Sequence, residues 1–255
     1  MTWAYRMQVD LETTDLHAAA FDRAGLQGLS EEDGRATAWF AAPVADLPVP
    51  GEWEDLGEVD WHADYQRHLA PVTVGALTVA PPWVDPMPPG ALVILPAQAF
   101  GTGHHETTTG CLALLQELPL RNRRVLDVGT GSGVLAIAAA RLGAADVLAV
   151  DTDPLATDAA TGNAEANGVA IDVRRGSLEV VEGSFDVVVA NLDTATLCHL
   201  AADLIGRVAP GGVFIGSGVS LERVGEVIAA FSAAGTALEV RRGREWAVLL
   251  GRRSP

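Results

Sequence analysis

From Val72 to the end of the chain, short apolar runs alternate with longer stretches in which apolar residues recur every three to four positions. Val72–Val79 and Leu92–Leu95 read as strands around a proline-rich loop, Pro81 to Gly90, and a helix is expected through Leu118. Strands are then predicted at Arg124–Val128, Asp146–Asp151, Ala170–Arg174, Phe185–Ala190 and Val213–Gly216. Between them fall helices at Val134–Leu142, from Asp153 to Asn167, from Thr194 to Val208 and at Leu221–Ala234. Asp153 caps its helix with Pro154 in the first turn, and Gly168 stops it. A final strand pair, Ala237–Arg241 and Glu245–Leu250, closes the series. Alternating strand and helix imply right-handed crossovers and a mostly parallel sheet, hence an α/β domain over 72–255.

The first part of the chain follows another pattern. Trp3–Val9 is expected as a strand and Asp15–Ala24 as a helix, followed by strands near Leu26–Ser30 and Arg35–Ala41 joined at Asp33-Gly34. This βαββ order resembles a small ferredoxin-like α+β module over residues 1–57. The proline-punctuated stretch Pro43–Gly51 and an acidic segment with Trp53, Trp61 and Tyr65 read as a connector whose aromatics pack against a domain face, with the linker at 58–71.

Within the α/β part, one turn carries the chemistry. The strand at Arg124–Val128 breaks into Gly129-Thr-Gly131-Ser-Gly133 before a helix start, the layout that turns backbone N–H groups towards a ligand. A dinucleotide turn needs its third glycine one position later, where this chain has Val134. Asp127 lies two residues before the first glycine, where it would repel a pyrophosphate but suit an ammonium. Asp151 ends the next strand at the distance expected of a ribose-binding acid. An acid for an ammonium and an acid for a ribose point to S-adenosylmethionine rather than NAD.

Other residues fill out this site. Asn191 follows the strand Phe185–Ala190 at the carboxyl edge of the sheet, where its carbonyl oxygen can accept from an amine N–H; a helix N-cap is the alternative role. Amino-directed methyltransferases often carry Asn-Pro-Pro-aromatic here, whereas this chain has Asn191-Leu-Asp-Thr194, which weakens a reading with a splayed nucleic-acid base. Phe100-Gly101-Thr-Gly-His104-His105-Glu-Thr107-Thr108 reads as a loop closing over a ligand, with the threonines at a helix start offering hydroxyls and N–H groups to the methionine carboxylate. Adjacent histidines point in different directions, so a metal site is not expected there. Thr130 and Thr152 are grouped with the two acids, and Ser177 and Leu178 stand where an adenine would be read, a plain loop being the alternative.

Composition narrows the partners. The net charge of −16 argues against phosphate neutralisation on a nucleic acid and suits a basic protein. All 17 cationic residues are arginine. The two cysteines, Cys111 and Cys198, are far apart, no apolar run is long enough to span a membrane, and no signal-peptide core follows Met1, so a cytoplasmic monomer is expected.

Taken together, Phe100–Thr108, Leu126–Ala138, Val150-Asp-Thr-Asp-Pro154, Val189-Ala-Asn-Leu192, Gly216-Ser-Gly-Val219 and Glu245-Trp246 closely resemble the bacterial methyltransferases of large-subunit ribosomal protein eleven. The likeness extends over essentially the whole chain. It implies a class I methyltransferase with a seven-stranded doubly wound sheet behind a substrate-recognising first domain. It further implies S-adenosylmethionine as methyl donor and trimethylation of α- and ε-amino groups on one ribosomal protein. Asn191 is expected to orient the amine, and His104 or His105 to relay a proton. Two departures bear on the substrate pocket: Asp193 replaces a tyrosine or aliphatic residue, and the connector lacks lysine around its tryptophans. A small-molecule or nucleic-acid methyltransferase, a nicotinamide oxidoreductase and a non-catalytic adenosylmethionine-binding scaffold are the rival classes.

Overall fold

The computed structural model describes residues 3–8, 21, 24–26, 28–32, 35–45, 47–55, 69–95 and 105–254. The chain separates into two compact units, Met1–Leu69 and Ala70–Pro255.

The first unit holds a four-stranded antiparallel sheet of β1 (Trp3–Met7), β2 (Gly28–Glu32), β3 (Arg35–Phe40) and β4 (Gly51–Asp55). Their order, β2-β3-β1-β4, places β3 between the first two strands, as in a ferredoxin-like sheet. Strand β4 corrects the expectation that Trp53 belongs to a connector. It pairs along the whole of β1, and Trp53 packs on Tyr5 and Phe40 with ring centroids 4.7 and 5.3 Å apart. The neighbours Glu52, Glu54 and Asp55 are exposed, so a single inward aromatic carries the strand. Met7, Phe21, Ala36, Ala38 and Val49 complete this small core, and the Tyr5 hydroxyl donates to the Val49 carbonyl at 2.9 Å. The predicted helix at 15–24, the 33–34 turn, Trp61 and Tyr65 lie essentially outside the described residues.

In the second unit, Val72–Val79 is not one strand. It divides into β5 (Val72–Val74) and β6 (Leu77–Ala80), which pair antiparallel and lie beside β7 (Leu92–Val93). The break comes at Gly75, with φ +58°, and is fixed from outside. The Gln116 side chain accepts from Ala76 N–H at 2.7 Å and donates to the Val74 carbonyl at 2.8 Å.

Helix α1 (Glu106–Glu117) then leads into the central sheet. Its elements are β8 (Arg124–Val128), α2 (Val134–Arg141), β9 (Asp146–Asp151), α3 (Pro154–Ala166), β10 (Asp172–Arg175), β11 (Phe185–Asn191), α4 (Thr194–Arg207), β12 (Val208–Ser220), α5 (Val224–Ala233), β13 (Leu238–Arg242) and β14 (Trp246–Arg252). The seven strands run β10-β9-β8-β11-β12-β14-β13, with β14 antiparallel to both neighbours. Central strands are apolar at nearly every position because both faces are covered. Alternate residues separate cleanly: Val125, Val187 and Val189 join Cys111, Leu112 and Ile137 on one face. Leu126, Val128, Val188 and Ala190 join Leu197, Leu204, Val227 and Phe231 on the other. Helix α2 is buried along its first six residues, which is why it reads as apolar all round. Among the described residues no helix is long and apolar enough to cross a membrane.

Candidate functional site

The β8–α2 turn lies against the middle of α3, at Ala160 and Asn163, and over the carboxyl end of β9. Gly129 and Thr130 donate their N–H groups to the Val150 carbonyl at 2.9 and 3.1 Å, and Gly131 N–H donates to Asp151 Oδ2 at 2.9 Å. Glycine is required at two points in particular. Gly129 has φ +72°, and a Cβ there would meet the Leu192 side chain. Gly133, the residue before α2, has φ +82°, and a Cβ would stand 3.0 Å from Ala160 on α3. Asn163, buried on the same helix, donates to the Ser132 carbonyl at 2.9 Å and fixes the turn from behind. The sequence reading passed over it, since an asparagine inside a helix carries no signal of its own.

Asp127 is 1% exposed and sits beneath this turn. Its Oδ2 accepts from the Thr130 hydroxyl at 2.7 Å and from Ala136 N–H at 3.2 Å, while Oδ1 has no hydrogen-bond partner. Burial raises the carboxyl from its ordinary value to about 6; the two donors oppose that shift and the nearby Asp151 carboxylate adds to it. Asp151 is half-buried and already holds two N–H groups, that of Gly131 and that of Asp153, the latter on Oδ1 at 3.0 Å.

The turn opens on a cavity of about 760 Å³, within the range of small-molecule sites. Nine of the sequence-predicted residues line it: Thr107, Thr108, Gly129, Thr130, Gly131, Asp151, Thr152, Ser177 and Asn191. Strand order lays them out in space. Asp151, Thr152 and Ser177 stand over the β9–β10 end, the glycine turn over β8, and Asn191 over β11 with the start of α1 beside it. Asn191 is the last residue of β11. The helix cap that follows is Asp193, whose side chain accepts from Thr196 N–H at 3.0 Å, which leaves Asn191 free of that task. The Asn191 amide donates to the Thr108 hydroxyl at 3.3 Å, and its Oδ1 is buried without a partner. Backbone N–H groups at the α1 start are occupied: that of Thr108 by the His105 carbonyl at 3.0 Å, that of Thr107 weakly by His105 Nδ1 at 3.4 Å. The two threonine hydroxyls are tied within the wall as well, that of Thr107 to His105 Nδ1 at 2.8 Å and that of Thr108 to the Asn191 amide.

Three predicted residues stand elsewhere. Gly133 supports the turn from outside the cavity wall, and Leu178 is packed in the second core cluster. Asp127 lies beneath the turn, outside the cavity lining, with Oδ1 left unpaired. Phe100, Gly101 and His104 lie outside the described residues. Asp193, expected to bear on the substrate pocket, and His105, weighed as a proton relay, also line the cavity, whereas Trp246 as a wall residue was not foreseen.

The residue set fits S-adenosylmethionine. Buried side-chain oxygens without a hydrogen bond are rare and call for a reason. Among the described residues only two such atoms occur, Asp127 Oδ1 and Asn191 Oδ1. Both are acceptors, one beneath the turn and one at the β11 end, and Asp151 supplies a carboxylate on the opposite side of the turn. Acceptors so placed suit a ligand that carries N–H and O–H donors.

A sequence profile of the family described as "Ribosomal protein L11 methyltransferase (PrmA)" matches residues 28–254. A protein of that name from Deinococcus radiodurans is 39% identical over 98% of each chain, and one from Thermus thermophilus is 41% identical over 97% of this chain and 98% of its own. The crystal structure of ribosomal protein L11 methylase from Lactobacillus delbrueckii subsp. bulgaricus superposes with a TM-score of 0.68 at 31% identity, over 72% of this chain and 99% of that one. The Thermus thermophilus 16S rRNA N2 G1207 methyltransferase, solved with AdoMet and guanosine, shares the fold alone, with a TM-score of 0.55 at 19% identity over 96% of this chain and 63% of its own. This chain belongs to the ribosomal protein L11 methyltransferase family.

Proposed function

We propose that this protein transfers methyl groups from S-adenosylmethionine to α- and ε-amino groups of ribosomal protein L11. The observation that carries the reading is the pair of unsatisfied buried acceptors, Asp127 Oδ1 beneath the glycine turn and Asn191 Oδ1 at the end of β11. Family membership supports the protein substrate; the net charge of −16 supports association with a basic one through long-range attraction.

When bound, the cofactor supplies an electrophilic methyl group on a sulfonium sulfur. Asp151 would accept from the ribose hydroxyls, and Asp127 Oδ1 would accept from the ammonium of the methionine part. Asn191 Oδ1, buried and unpaired, would accept an N–H of the substrate amine and so orient its nitrogen lone pair for transfer. Thr108 holds the Asn191 amide in that orientation through the 3.3 Å hydrogen bond. The amine must arrive neutral. A lysine amine with pKa ~10.4 is only about 1 part in 2,500 neutral at pH 7, a cost of roughly 4–5 kcal/mol, whereas an α-amine near pKa ~8 costs about 1–1.5 kcal/mol. His104 is the proposed relay for that proton. Most of the acceleration then comes from fixing acceptor and donor in line.

Calorimetric titration with S-adenosylmethionine and with NADH tests the cofactor, and only the first should bind. Transfer of labelled methyl groups to isolated L11 but not to ribosomal RNA tests the substrate. Labelled RNA with unlabelled L11 would reverse the assignment.

A further inference from the structure

The aromatic residue in the cavity wall, Trp246, is placed by a contact that the cofactor reading does not use. It begins β14 and lies beyond β11 in strand order, on the Asn191 side of the cavity and away from Asp151. Its ring meets the His105 ring edge-on, with centroids 5.0 Å apart at 69°. The hairpin tip leading into it is clamped by one side chain. The Glu106 carboxylate accepts the N–H of Arg244 on one oxygen and that of Glu245 on the other, at 3.1 Å for the second. Gly243 N–H closes the tip on the Trp246 carbonyl at 2.9 Å, and any Cβ on Gly243 would run into Glu106. The two N–H donors, Arg244 first, hold the Glu106 carboxyl below the usual carboxylate range, so the clamp keeps its charge at neutral pH.

We propose, resting on the amine-methylation reading above, that Glu106 is a positioning residue that holds Trp246 as an aromatic wall at the acceptor end of the cavity. This wall binds the methylated ammonium and thereby sets how far one amine is methylated. In each round the lone pair of a neutral amine forms the N–C bond while the C–S bond breaks towards sulfur, which leaves as a neutral thioether. After the first two rounds the nitrogen loses its proton to water; after the third it has none to lose. Each added methyl removes an N–H that Asn191 could accept, and makes the nitrogen larger and more apolar. The face of an indole ring binds such a cation by charge–quadrupole attraction without needing an N–H donor. Hydrogen bonding at Asn191 serves the first transfer best, and the aromatic wall serves the later ones.

The test is mass spectrometry of L11 over time with full-length wild type, Trp246→Ala, Trp246→Phe, Glu106→Ala and Gly243→Ala. The expected result is that Trp246→Ala and Glu106→Ala lower the ratio of third-transfer to first-transfer rate about tenfold, so that mono- and dimethylated forms accumulate. Gly243→Ala should act in the same direction by wedging the clamp, and Trp246→Phe should restore most of the ratio. Cofactor affinity, measured in parallel, should stay within about threefold of wild type, which a general loosening of the fold would not allow. If an alanine variant does not fold, the comparison of Trp246→Phe with Gly243→Ala decides by the same ratio. Unchanged ratios in the folded variants would overturn the proposal. Tryptophan emission titrated with tetramethylammonium chloride, against ammonium chloride, separates the two levels of the claim. A response to tetramethylammonium that vanishes in Trp246→Ala, from a wild type that does not methylate L11, would sink the substrate reading and leave the aromatic wall. No response from a wild type that trimethylates L11 would sink the wall.

Discussion

Replacing Asp151 by alanine separates the two tasks its carboxylate performs. Within the protein it accepts the N–H of Gly131 at 2.9 Å and that of Asp153 at 3.0 Å, tying the glycine turn to the end of β9. Solvent can take over the exposed bond to Asp153, so the folding loss should be about 1–2 kcal/mol, from the part-buried Gly131 bond. The second task is to accept from two ribose hydroxyls. At about 1.5 kcal/mol for each charge-assisted bond, that loss is about 3 kcal/mol, or roughly 150-fold in affinity. Asp151→Asn keeps an oxygen for Gly131 N–H and gives up the charge, so an intermediate loss of about tenfold is expected. Calorimetry with S-adenosylmethionine, alongside thermal unfolding of each variant, reads both quantities. If Asp151→Ala binds within about threefold of wild type, Asp151 is not a ribose ligand. If affinity falls only in step with melting temperature, its role is confined to the turn.

Asn191→Ala should lower kcat about 100-fold while cofactor affinity changes little, and stability should drop by less than about 1 kcal/mol because Asp193 is the helix cap; wild-type turnover would remove Asn191 from the chemistry. With the Asp127 carboxyl raised to about 6, cofactor affinity should weaken about tenfold between pH 7 and pH 5 as the acceptor for the ammonium is neutralised, and Asp127→Asn should be flat over that range. The sign for stability is opposite. Because the folded carboxyl takes up its proton before the unfolded one does, this group's destabilising effect is full above pH 6 and fades as pH falls towards 3.8, which thermal unfolding against pH would show. A chain beginning at Ala70 should fold and bind S-adenosylmethionine, since the second unit is compact by itself, yet methylate intact L11 poorly. Equal efficiency with the whole chain would end the case for recognition by the first unit.

The α/β order and the glycine turn were legible because both are local. A strand buried on both faces is an apolar run, and a turn closing over the next strand must use glycine where a Cβ would meet Leu192 or Ala160. Asp151 was legible by its distance from the turn, and Asn191 by its place at a strand end. What escaped notice depends on contacts distant in sequence. Glu106 and Arg244 are 138 positions apart, and no spacing rule links them to Trp246. Asn163 on α3 bonds to Ser132, 31 positions away, through an amide that looks like any polar residue in a helix. Strand β4 escaped because an acidic five-residue edge strand with one inward side chain, Trp53, shows no alternation to read. Asp127 was legible as an acid two residues before the turn, but its place beneath that turn follows from Thr130 and Ala136 turning back onto it.

Intact-mass measurement of purified ribosomal protein L11, incubated with this protein and S-adenosylmethionine, tests the central claim most directly. The account predicts that L11 gains mass in steps of one methyl group, that fragmentation places those groups on the N-terminal α-amine and lysine ε-amines, and that Asn191→Ala suppresses the gain. An L11 whose mass stays unchanged while the wild-type protein binds S-adenosylmethionine would contradict it.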